Sequence, residues 1–482
     1  MNKDLLLSKI RQGADMTRRE QIVLAAMLSV PAMLAQLVQI VMEYIDAAMV
    51  GSLGAEASAS IGLVSSTIWL FGGLCHAFGA GFSVQVAHQI GANRFEEARH
   101  ILRQSLLCAV LFSVTLAAIG VGIARQLPHW LGGASDICHD ATIYFAISAT
   151  MLPFMTLMAL SAGMLRSAGN VKVPSVMMAT ACLLDVIFNW IFIFRMGWGV
   201  FGAAVGSALA YGIVALAITS YLLFRSETLR LSLDAEKEIL NNKSEIEISL
   251  ADAPKPHTDR SSFVPCRRTL HKWWHIAWPM GAEHFVMCAA HVASTVIIAP
   301  LGTIAIAANS FGIIVESLCY MPGHGVADAA TTLVGQSLGA QRKPLAHSFA
   351  HITVGLGMAV MTVMGIVMYL TAPAVMLLMT PDDAVQALTT RVLRIEAFAE
   401  PMFAAQIVCY GVFVGAGDTL IPCGMNLASI WVVRISLALI FTKVLGLGLV
   451  GYWMAMAIEL CFRGAIFLWR LKGRSWMEKL RI

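Results

Sequence analysis

The sequence predicts an all-α membrane protein of twelve transmembrane helices, in two six-helix lobes related by a pseudo-two-fold axis along the membrane normal. Three observations lead to this prediction: a composition too apolar for a soluble fold, twelve apolar segments of spanning length, and an internal repeat. Each observation limits what the protein does as well as how it folds.

The composition places most of the chain in lipid. Of the 482 residues, 58% are hydrophobic and only 13% are charged, whereas soluble domains carry about 25% charged residues. So few charges do not cover the surfaces of soluble domains, while a bilayer accepts an apolar exterior. The mean hydropathy of +0.74 leads to the same conclusion.

Twelve segments are apolar over about the 20 residues that a helix needs to cross the hydrocarbon. They lie within residues 22–50, 56–89, 101–124, 141–165, 172–194, 201–224, 273–299, 304–337, 348–371, 386–415, 420–442 and 449–471. The first segment is too long for the apolar part of a secretory signal, so we expect it to remain as a transmembrane helix.

The distribution of basic residues predicts the orientation. With a cytoplasmic N-terminus, the inner segments hold 26 of the 33 Lys and Arg residues, and the outer segments hold five. We therefore expect a multi-pass protein of the bacterial inner membrane with both termini in the cytoplasm, which requires an even number of helices.

We expect five parts in the chain. They are a cytoplasmic N-terminal segment (1–20), an N-lobe (21–225), a cytoplasmic linker (226–271), a C-lobe (272–472) and a cytoplasmic tail (473–482). The linker is the longest polar stretch and mixes acids with bases. We interpret it as a solvated connection, partly helical near 234–248. A role in gating or regulation is the alternative.

The two halves repeat each other at an offset of 248 residues. Coinciding residues include Pro31 and Pro279, Gly54 and Gly302, His76 and His324, Gly91 and Gly339, Arg94 and Arg342, Pro153 and Pro401, and Gly169 and Gly417. Because 248 residues contain six spans, the halves have parallel topology, which implies a pseudo-two-fold axis along the membrane normal. Two such lobes leave a cleft between them.

The sequence gives little sign of an enzyme or a metalloprotein. It has no Walker A, HExxH or CxxC motif, so we expect neither an ATP-driven pump nor an enzyme. Three isolated pairs have the helical spacing of metal ligands: Cys288/His291, His271/His275 and His347/His351. A structural metal normally needs four ligands, so we predict no metal, no cofactor and no nucleic-acid partner.

Several motifs together resemble those of the MATE (multidrug and toxic compound extrusion) transporter family. They are Pro31 to Gly54 (PAMLAQLVQIVMEYIDAAMVGSLG), Gln85 to Arg99 (QVAHQIGANRFEEAR), Gly163 to Pro174 (GMLRSAGNVKVP), their C-half counterparts VGQSLGAQRK and GVFVGAGDTLIP, and Arg434, Gly448, Gly451, Glu459 and Arg463. The resemblance covers the chain except residues 225–270. It implies a twelve-helix antiporter of the prokaryotic type, which expels organic, often cationic compounds in exchange for H⁺ or Na⁺.

Ionisable residues at membrane depth are costly, and they are kept where they pair, face a cavity or bind an ion. Asp46 and Glu43 lie three residues apart on one face of the first helix, and Asp46 matches the helix-1 aspartate of the family. Two neighbouring carboxylates repel when both are ionised, so the pair suits uptake of a proton or Na⁺. Capping of the outer helix end is the alternative for Asp46.

The fifth helix contains Asp185 and Asn189, four residues apart. Related sequences have Asn first and Asp four residues later, so the two residue types are exchanged here. The exchange keeps one carboxylate and one amide on one face, and ion binding could survive this one-turn shift. A buried hydrogen-bonded pair without a transport role is the alternative.

Two glutamates are the candidates in the second half. Glu283 follows Pro279 by four residues, a position that carries a glutamate in some branches of the family, whereas other branches have it at the position of Met287. Glu400 precedes Pro401, which is expected to bend the helix, and resembles the C-lobe cation site of several family members. We predict that both bind cations; helix capping is the alternative for Glu400.

A second set of polar residues has a structural interpretation. Glu459 and Arg463 are spaced i,i+4 in the last helix, and Arg434 lies in the helix before it. We expect these charges to neutralise one another. His76 and His324 hold equivalent positions in the repeat, which suggests a site near the pseudo-two-fold axis.

The candidate acids do not follow the repeat. At an offset of 248, the residues equivalent to Asp46, Asp185, Glu283 and Glu400 are Ser294, Val433, Ala35 and Leu152. We therefore expect a duplicated scaffold on which ion chemistry has been placed separately in each half.

We predict a secondary antiporter that exports organic, cationic or amphipathic small molecules in exchange for H⁺ or Na⁺ by alternating access. The predicted hinges are Pro31, Pro153, Pro279 and Pro401. The expected partners are a small-molecule substrate, a monovalent cation and the lipid bilayer, and we expect a monomer. The alternative is an exporter of an endogenous metabolite, or a flippase for a lipid-linked precursor, which would need a cationic cleft.

Overall fold

The computed structural model describes residues 2–231 and 265–478, and these residues form helices and no strands. Ten of the described helices are long and apolar enough to cross a membrane, and the number is twelve if each of two bent pairs forms one span. The all-helical prediction is therefore confirmed. The predicted helix near 234–248 lies outside the described residues.

The first half contains a short N-terminal helix and the N-lobe. Its helices are α1 (Lys3–Arg11), α2 (Arg18–Gly51), α3 (Ala55–Gly91), α4 (Phe95–Ile123), α5 (Leu127–Trp130), α6 (Ser135–Thr150), α7 (Leu152–Ser167), α8 (Lys172–Asn189) and α9 (Gly199–Phe224). Helix α8 continues into a π-helical segment, Trp190–Arg195.

The C-lobe has the same order of elements. Its helices are α10 (Arg267–Ile298), α11 (Thr303–Gly339), α12 (Lys343–Met379), α13 (Asp383–Glu396), α14 (Glu400–Gly415), α15 (Leu420–Ala428), α16 (Ile435–Leu439) and α17 (Gly448–Lys472), with 3₁₀ turns at Ala299–Leu301 and Ser475–Glu478. Two π-helical segments, Ser429–Arg434 and Ile440–Val444, flank α16. Helix α10 begins inside the predicted linker 226–271.

Equivalent turns in the two halves have equivalent backbone conformations. Gly54 and Gly302 precede α3 and α11 with φ of 114° and 96°, a region that only glycine adopts without strain. Asn93 and Gln341 follow the same two helices with φ of 60° and 59°. The repeat therefore extends from sequence landmarks to individual dihedral angles.

Two of the four predicted hinge prolines stand at bends. Pro153 begins α7 after a bend of 44° from α6, and Pro401 begins α14 after a bend of 58° from α13. These prolines lack the N–H that would continue the hydrogen-bond ladder of the preceding helix. Pro31 and Pro279 lie inside α2 and α10, which continue through them.

A π-helical segment changes the repeat offset by one residue. The offset between equivalent residues is 248 up to Pro422. Beyond that point, Gly202 of the N-lobe and Gly451 of the C-lobe pack against equivalent turns, and these two glycines are 249 residues apart. The segment Ser429–Arg434 lies between these positions, and a π-bulge is the local form that an inserted residue takes in a helix. The predicted equivalence of Asp185 with Val433 is therefore wrong: after the shift, Asp185 is equivalent to Arg434.

Each lobe has its own apolar core. In the N-lobe, Phe78 and Phe82 are buried among α3, α4, α7 and α9, and Phe78 stacks on Phe112 with ring centroids 4.8 Å apart. In the C-lobe, Trp453 is fully buried and fits against α11 at Gly312, where a Cβ would lie 2.6 Å from the indole. Separate cores allow the lobes to move as units.

The lobes contact each other where α2 packs along α11 and α3 packs along α10. The closest approach is a crossing of α3 and α11 at their C-terminal ends. A Cβ on Gly91 would lie 2.1 Å from the carbonyl oxygen of Gln336, and a Cβ on Gly339 would lie 2.0 Å from that of His88. Both contacts are related by the 248-residue offset, so the pseudo-two-fold axis passes through this crossing.

The same two side chains, His88 and Gln336, also reach across to the opposite lobe. His88 Nε2 lies 2.7 Å from the carbonyl oxygen of Gly415, and Gln336 Nε2 donates to that of Ser167 at 2.7 Å. These two hydrogen bonds are again equivalent in the repeat. We call this arrangement the glycine crossing, and it closes the cleft at one face of the molecule.

Helix α1 covers this face and is held by both lobes. Arg342 Nη1 donates to the carbonyl oxygens of Lys9 and Ala14, and Asn93 Nδ2 donates to that of Arg11. Leu6, Leu7 and Ile10 of α1 are buried, and Leu7 packs against the turn at Gly169. We call this side the terminal face, because α1 and the final Ser475–Glu478 turn both lie on it.

We predict that Gly91→Ala weakens the glycine crossing, because the new methyl group would overlap a backbone oxygen that cannot rotate away. Overpacking of this kind costs about 1–3 kcal/mol, so the thermal unfolding temperature of the purified protein should fall. Gly122→Ala is the matched control, since nothing lies within 4 Å of a Cβ there. Equal unfolding temperatures for the two variants would contradict the prediction.

Candidate functional site

The N-lobe contains a buried carboxylate pair between α2 and α8. Asn189 Nδ2 donates to Asp46 Oδ1 at 3.0 Å. Asp185, one turn earlier on α8, is fully buried, and its oxygens have no well-aligned hydrogen-bond donor among the described residues, although Asp46 and Ser207 lie within reach. The exchanged Asp185 and Asn189 thus both face the helix-1 aspartate.

Close approach of α9 shapes this pair. A Cβ on Gly206 would lie 2.0 Å from Asn189 Oδ1, so only glycine leaves room for the amide. The amide is thereby held with its NH₂ group toward Asp46. Asp46 therefore has a partner inside the N-lobe, and it does not cap the outer end of α2, where Ser52 is the C-cap.

Glu43 has a different environment from Asp46. Its Oε1 accepts a hydrogen bond from Gln39 Nε2 at 3.2 Å on the same helix, and its side chain is exposed. The adjacent Tyr44 reaches the other lobe, where its hydroxyl lies 2.7 Å from Ser317 Oγ and donates to the carbonyl of Ile314. The structure therefore separates Glu43, which lies near the cleft, from the Asp46 site.

Glu283 is fixed by two donors in the C-lobe. Tyr410 OH donates to its Oε2 at 2.5 Å, and Asn426 Nδ2 donates to its Oε1 at 2.5 Å. Gln406 in turn donates to Asn426 Oδ1 at 3.2 Å, which fixes the orientation of that amide. Three helices, α10, α14 and α15, thus meet at one carboxylate.

A second C-lobe group consists of three buried glutamates. Glu400 and Glu396 are fully buried, and their carboxylate oxygens have no hydrogen-bond partner among the described residues. Glu316 on α11 is also buried and lies within electrostatic reach of both. Glu400 packs its side chain against Gly365 and makes no capping hydrogen bond, which argues against the capping interpretation.

The basic residues of the C-lobe surround Glu459. Arg434 donates to Glu459 Oε2 from Nε at 3.0 Å and Nη2 at 2.8 Å, and Arg463 Nε lies 3.1 Å from Oε1. Ser429 Oγ donates to Oε1 at 2.5 Å. Ser429 and Arg434 are the first and last residues of the inserted π-helical segment, so the insertion supplies two of the partners of Glu459.

Glu396, Tyr410 and Asn426 belong to these groups but were not among the residues predicted from the sequence. Glu396 lies four residues before Glu400, so i,i+4 spacing of two acids in an apolar span was the available signal. Tyr410 and Asn426 carry no comparable signal, because tyrosines and asparagines in transmembrane helices are common. In addition, the local sequence does not predict that α10 approaches α14 and α15.

The structure gives no support for a serine hydrolase or a metal site among the described residues. Gly335–Gly339 reads GQSLG and matches the GxSxG pattern of serine hydrolases, but the stretch lies inside α11 and Ser337 is fully buried. That pattern requires an exposed serine at a strand-to-helix turn. Across the described residues, no three His, Cys, Asp or Glu side chains converge on a metal site.

Buried carboxylates on helices that line a cleft between two lobes define a class of protein, the multi-pass membrane transporters. Comparison with a family model identifies the particular family: residues 31–191 and 279–440 match MatE. The chain therefore belongs to the MatE family and is a transporter and not an enzyme. The two matched ranges cover most of both halves, in agreement with the repeat.

Curated relatives match most of the length of the chain. A "Probable multidrug resistance protein NorM" from Thermotoga maritima is 26% identical over 94% of this chain and 92% of its own length. The corresponding protein of Streptococcus pneumoniae is 25% identical, over 94% and 95%. A MATE structure in a straight conformation superposes with a TM-score of 0.86, 21% identity and coverage of 98% and 99%. One in a bent conformation gives 0.82, with 21% identity and 97% and 98% coverage.

We predict that Arg434→Ala strongly destabilises the protein. Removal of one partner of a buried ion pair costs about 3–5 kcal/mol, because it leaves charge without compensation. The unfolding temperature in detergent should therefore fall by many degrees. The control is Lys343→Ala, which breaks the exposed Lys343–Glu478 pair and should cost less than about 1 kcal/mol. Similar unfolding temperatures for the two variants would show that the Glu459 group is not structural.

Proposed function

We propose that the protein is a proton-coupled antiporter of the bacterial inner membrane that exports several kinds of organic, cationic or amphipathic compounds. The observation that carries the proposal is the Asp46–Asp185 pair: a fully buried carboxylate without an aligned donor, next to a second carboxylate. Uptake of a proton or a cation offsets the cost of such a group at membrane depth. The names of the relatives support multidrug export as the activity.

The choice of a proton over Na⁺ follows from what surrounds the carboxylates. Glu396 and Glu400 are buried without hydrogen-bond donors among the described residues, and Asp185 has only poorly aligned ones in Ser207 and Asn189. A bound Na⁺ would instead require several oxygen ligands around one point. A protonated carboxyl needs no such shell, so the geometry favours protons.

The two lobes have different parts in the proposed cycle. In the N-lobe, a proton shared by Asp46 and Asp185 competes with cargo for the negative charge next to the cleft. In the C-lobe, Glu283 is already held by Tyr410 and Asn426, so it offers a fixed site for a cationic group. Binding of either ligand biases the same two-state motion, which is the requirement for coupling.

The proposed motion opens the terminal face. The excess of basic residues supports a cytoplasmic location for this face, and the glycine crossing and α1 close it in the structure. Loading of cargo from the cytoplasm then requires separation of the crossing, with bending at Pro153 and Pro401, where the helices already change direction. We propose that a single chain performs this cycle as a monomer.

No observation favours the flippase alternative. A pyrophosphate group would require free cationic side chains in the cleft, but Arg434 and Arg463 both pair with the buried Glu459. Export of an endogenous metabolite remains an outcome that the same assay can detect.

We predict that Asp185→Asn abolishes proton-driven export, because the amide cannot take up a proton. The assay is uptake of a fluorescent organic cation into proteoliposomes under an imposed pH gradient, and separately under a Na⁺ gradient. Activity should fall at least tenfold under the pH gradient. Asp136→Asn, which changes an exposed acid at the start of α6, should retain activity.

Two further variants locate the coupling. Asp46→Asn should reproduce the loss, whereas Glu283→Gln should raise the KM for the cation and leave the response to the pH gradient. Export driven by Na⁺ alone in the wild type, or full pH-driven export by Asp185→Asn, would overturn the proton proposal.

A further inference from the structure

The centre of the cleft contains histidines that the coupling mechanism does not use. His76 on α3 and His324 on α11 occupy equivalent positions in the repeat, one in each lobe. Both side chains are exposed although the residues before and after them on each helix are buried, and the helices lie in the interior of the bundle. They therefore face the cleft between the lobes. His284 on α10 lies close to both.

The ring nitrogens of these three imidazoles accept and donate no hydrogen bond within the described part of the chain. Within residues 2–231 and 265–478, no side chain or backbone group hydrogen-bonds to His76, His284 or His324. The rings are nevertheless held in place: His284 lies against Gly73 and at 5.5 Å from Trp69, edge to face. His324 contacts Tyr320 at a centroid distance of 6.0 Å. Each imidazole offers at least one N–H donor in either charge state.

The charges below these rings do not suit a cation. Asp328, one turn after His324, pairs with Arg166 of the other lobe at 3.1 Å, so its carboxylate is already neutralised. His76 lies within electrostatic reach of both members of that pair. The histidine floor, defined as His76, His284 and His324, thus combines free N–H donors with no free negative charge.

A carboxylate also lies near these rings. Glu43 is exposed and within electrostatic reach of Tyr320, whose ring contacts His324. Tyr320 is therefore close both to this carboxylate and to the histidine floor. Trp69 and Tyr320 present ring faces and edges that pack on flat aromatic molecules.

We propose that the histidine floor is a subsite for the anionic, hydrogen-bond-accepting end of a zwitterionic aromatic cargo, whose cationic end lies toward Glu43. This inference rests on the proposed export function and adds to it the residues that would distinguish zwitterionic from purely cationic cargo. The floor then acts as a specificity-determining element: it adds affinity only for cargo that carries a carboxylate.

The test uses two dyes that differ by one methyl group. Rhodamine 110 carries a free carboxylate and is a zwitterion, while rhodamine 123 is its methyl ester and a cation. The measurements are fluorescence anisotropy of each dye with the purified full chain, and uptake of each dye into proteoliposomes under a pH gradient. The variants are His76→Leu and His324→Leu, which remove the donors, and His324→Gln, which keeps an N–H donor.

The expected result is a tenfold or larger weakening of rhodamine 110 binding in each leucine variant, since a hydrogen bond to a charged group is lost. Rhodamine 123 binding should change by less than about twofold. His324→Gln should recover much of the affinity for rhodamine 110. His139→Leu, a substitution at an exposed histidine on α6, should change neither dye.

Failure of this inference and failure of the proposed function give different results. Equal loss of both dyes in the leucine variants, with normal unfolding temperatures, would mean that the histidines only shape the cleft and would overturn the subsite. Unchanged binding of rhodamine 110 would overturn it as well. If the wild type transported neither dye under any gradient, the proposed function would be wrong together with the subsite.

Discussion

The glycine crossing of α3 and α11 is the contact on which the arrangement of the two lobes depends. Gly91 and Gly339 allow two backbones to meet on the pseudo-two-fold axis, and His88 and Gln336 add one hydrogen bond to each opposite lobe. The acceptors are backbone carbonyls, so their positions are set by the helices themselves. The crossing therefore positions both cores, and with them every charged group that faces the cleft.

The two halves share this crossing but differ in the charged residues of their helices. The inserted residue in the π-helical segment Ser429–Arg434 places an arginine where the N-lobe has Asp185. Arg434 then binds Glu459, and the ion pair joins the end of the π-helical segment to α17. The N-lobe has a buried carboxylate without a basic partner among the described residues at the equivalent place, and this is the group to which we assign the proposed proton. One insertion thus accompanies a difference in charge between the two halves of a duplicated fold.

The repeat and the helices were predictable because they depend on local composition and on the spacing of apolar residues. The equivalence of most prolines and glycines in the two halves was predictable from the constant offset of the repeat. The predicted set of Arg434, Glu459 and Arg463 also rested on simple charge arithmetic within adjacent helices. The partners of Glu283 were not predictable, since Tyr410 and Asn426 come from helices more than 120 residues away in the chain. The single-residue shift was also missed, because the landmarks that fixed the offset end at Pro422, before the insertion.

The attachment of α1 has a consequence for the order of events during synthesis. This helix is synthesised before the N-lobe, yet Arg342, which joins it to the C-lobe, is made only after the entire N-lobe and two helices of the C-lobe. Domains generally fold as units, the N-terminal one first. Until the eighth span has been inserted, α1 therefore has only its N-lobe contacts, such as the hydrogen bond from Asn93 and the packing of Leu7 at Gly169, and the terminal face is incomplete.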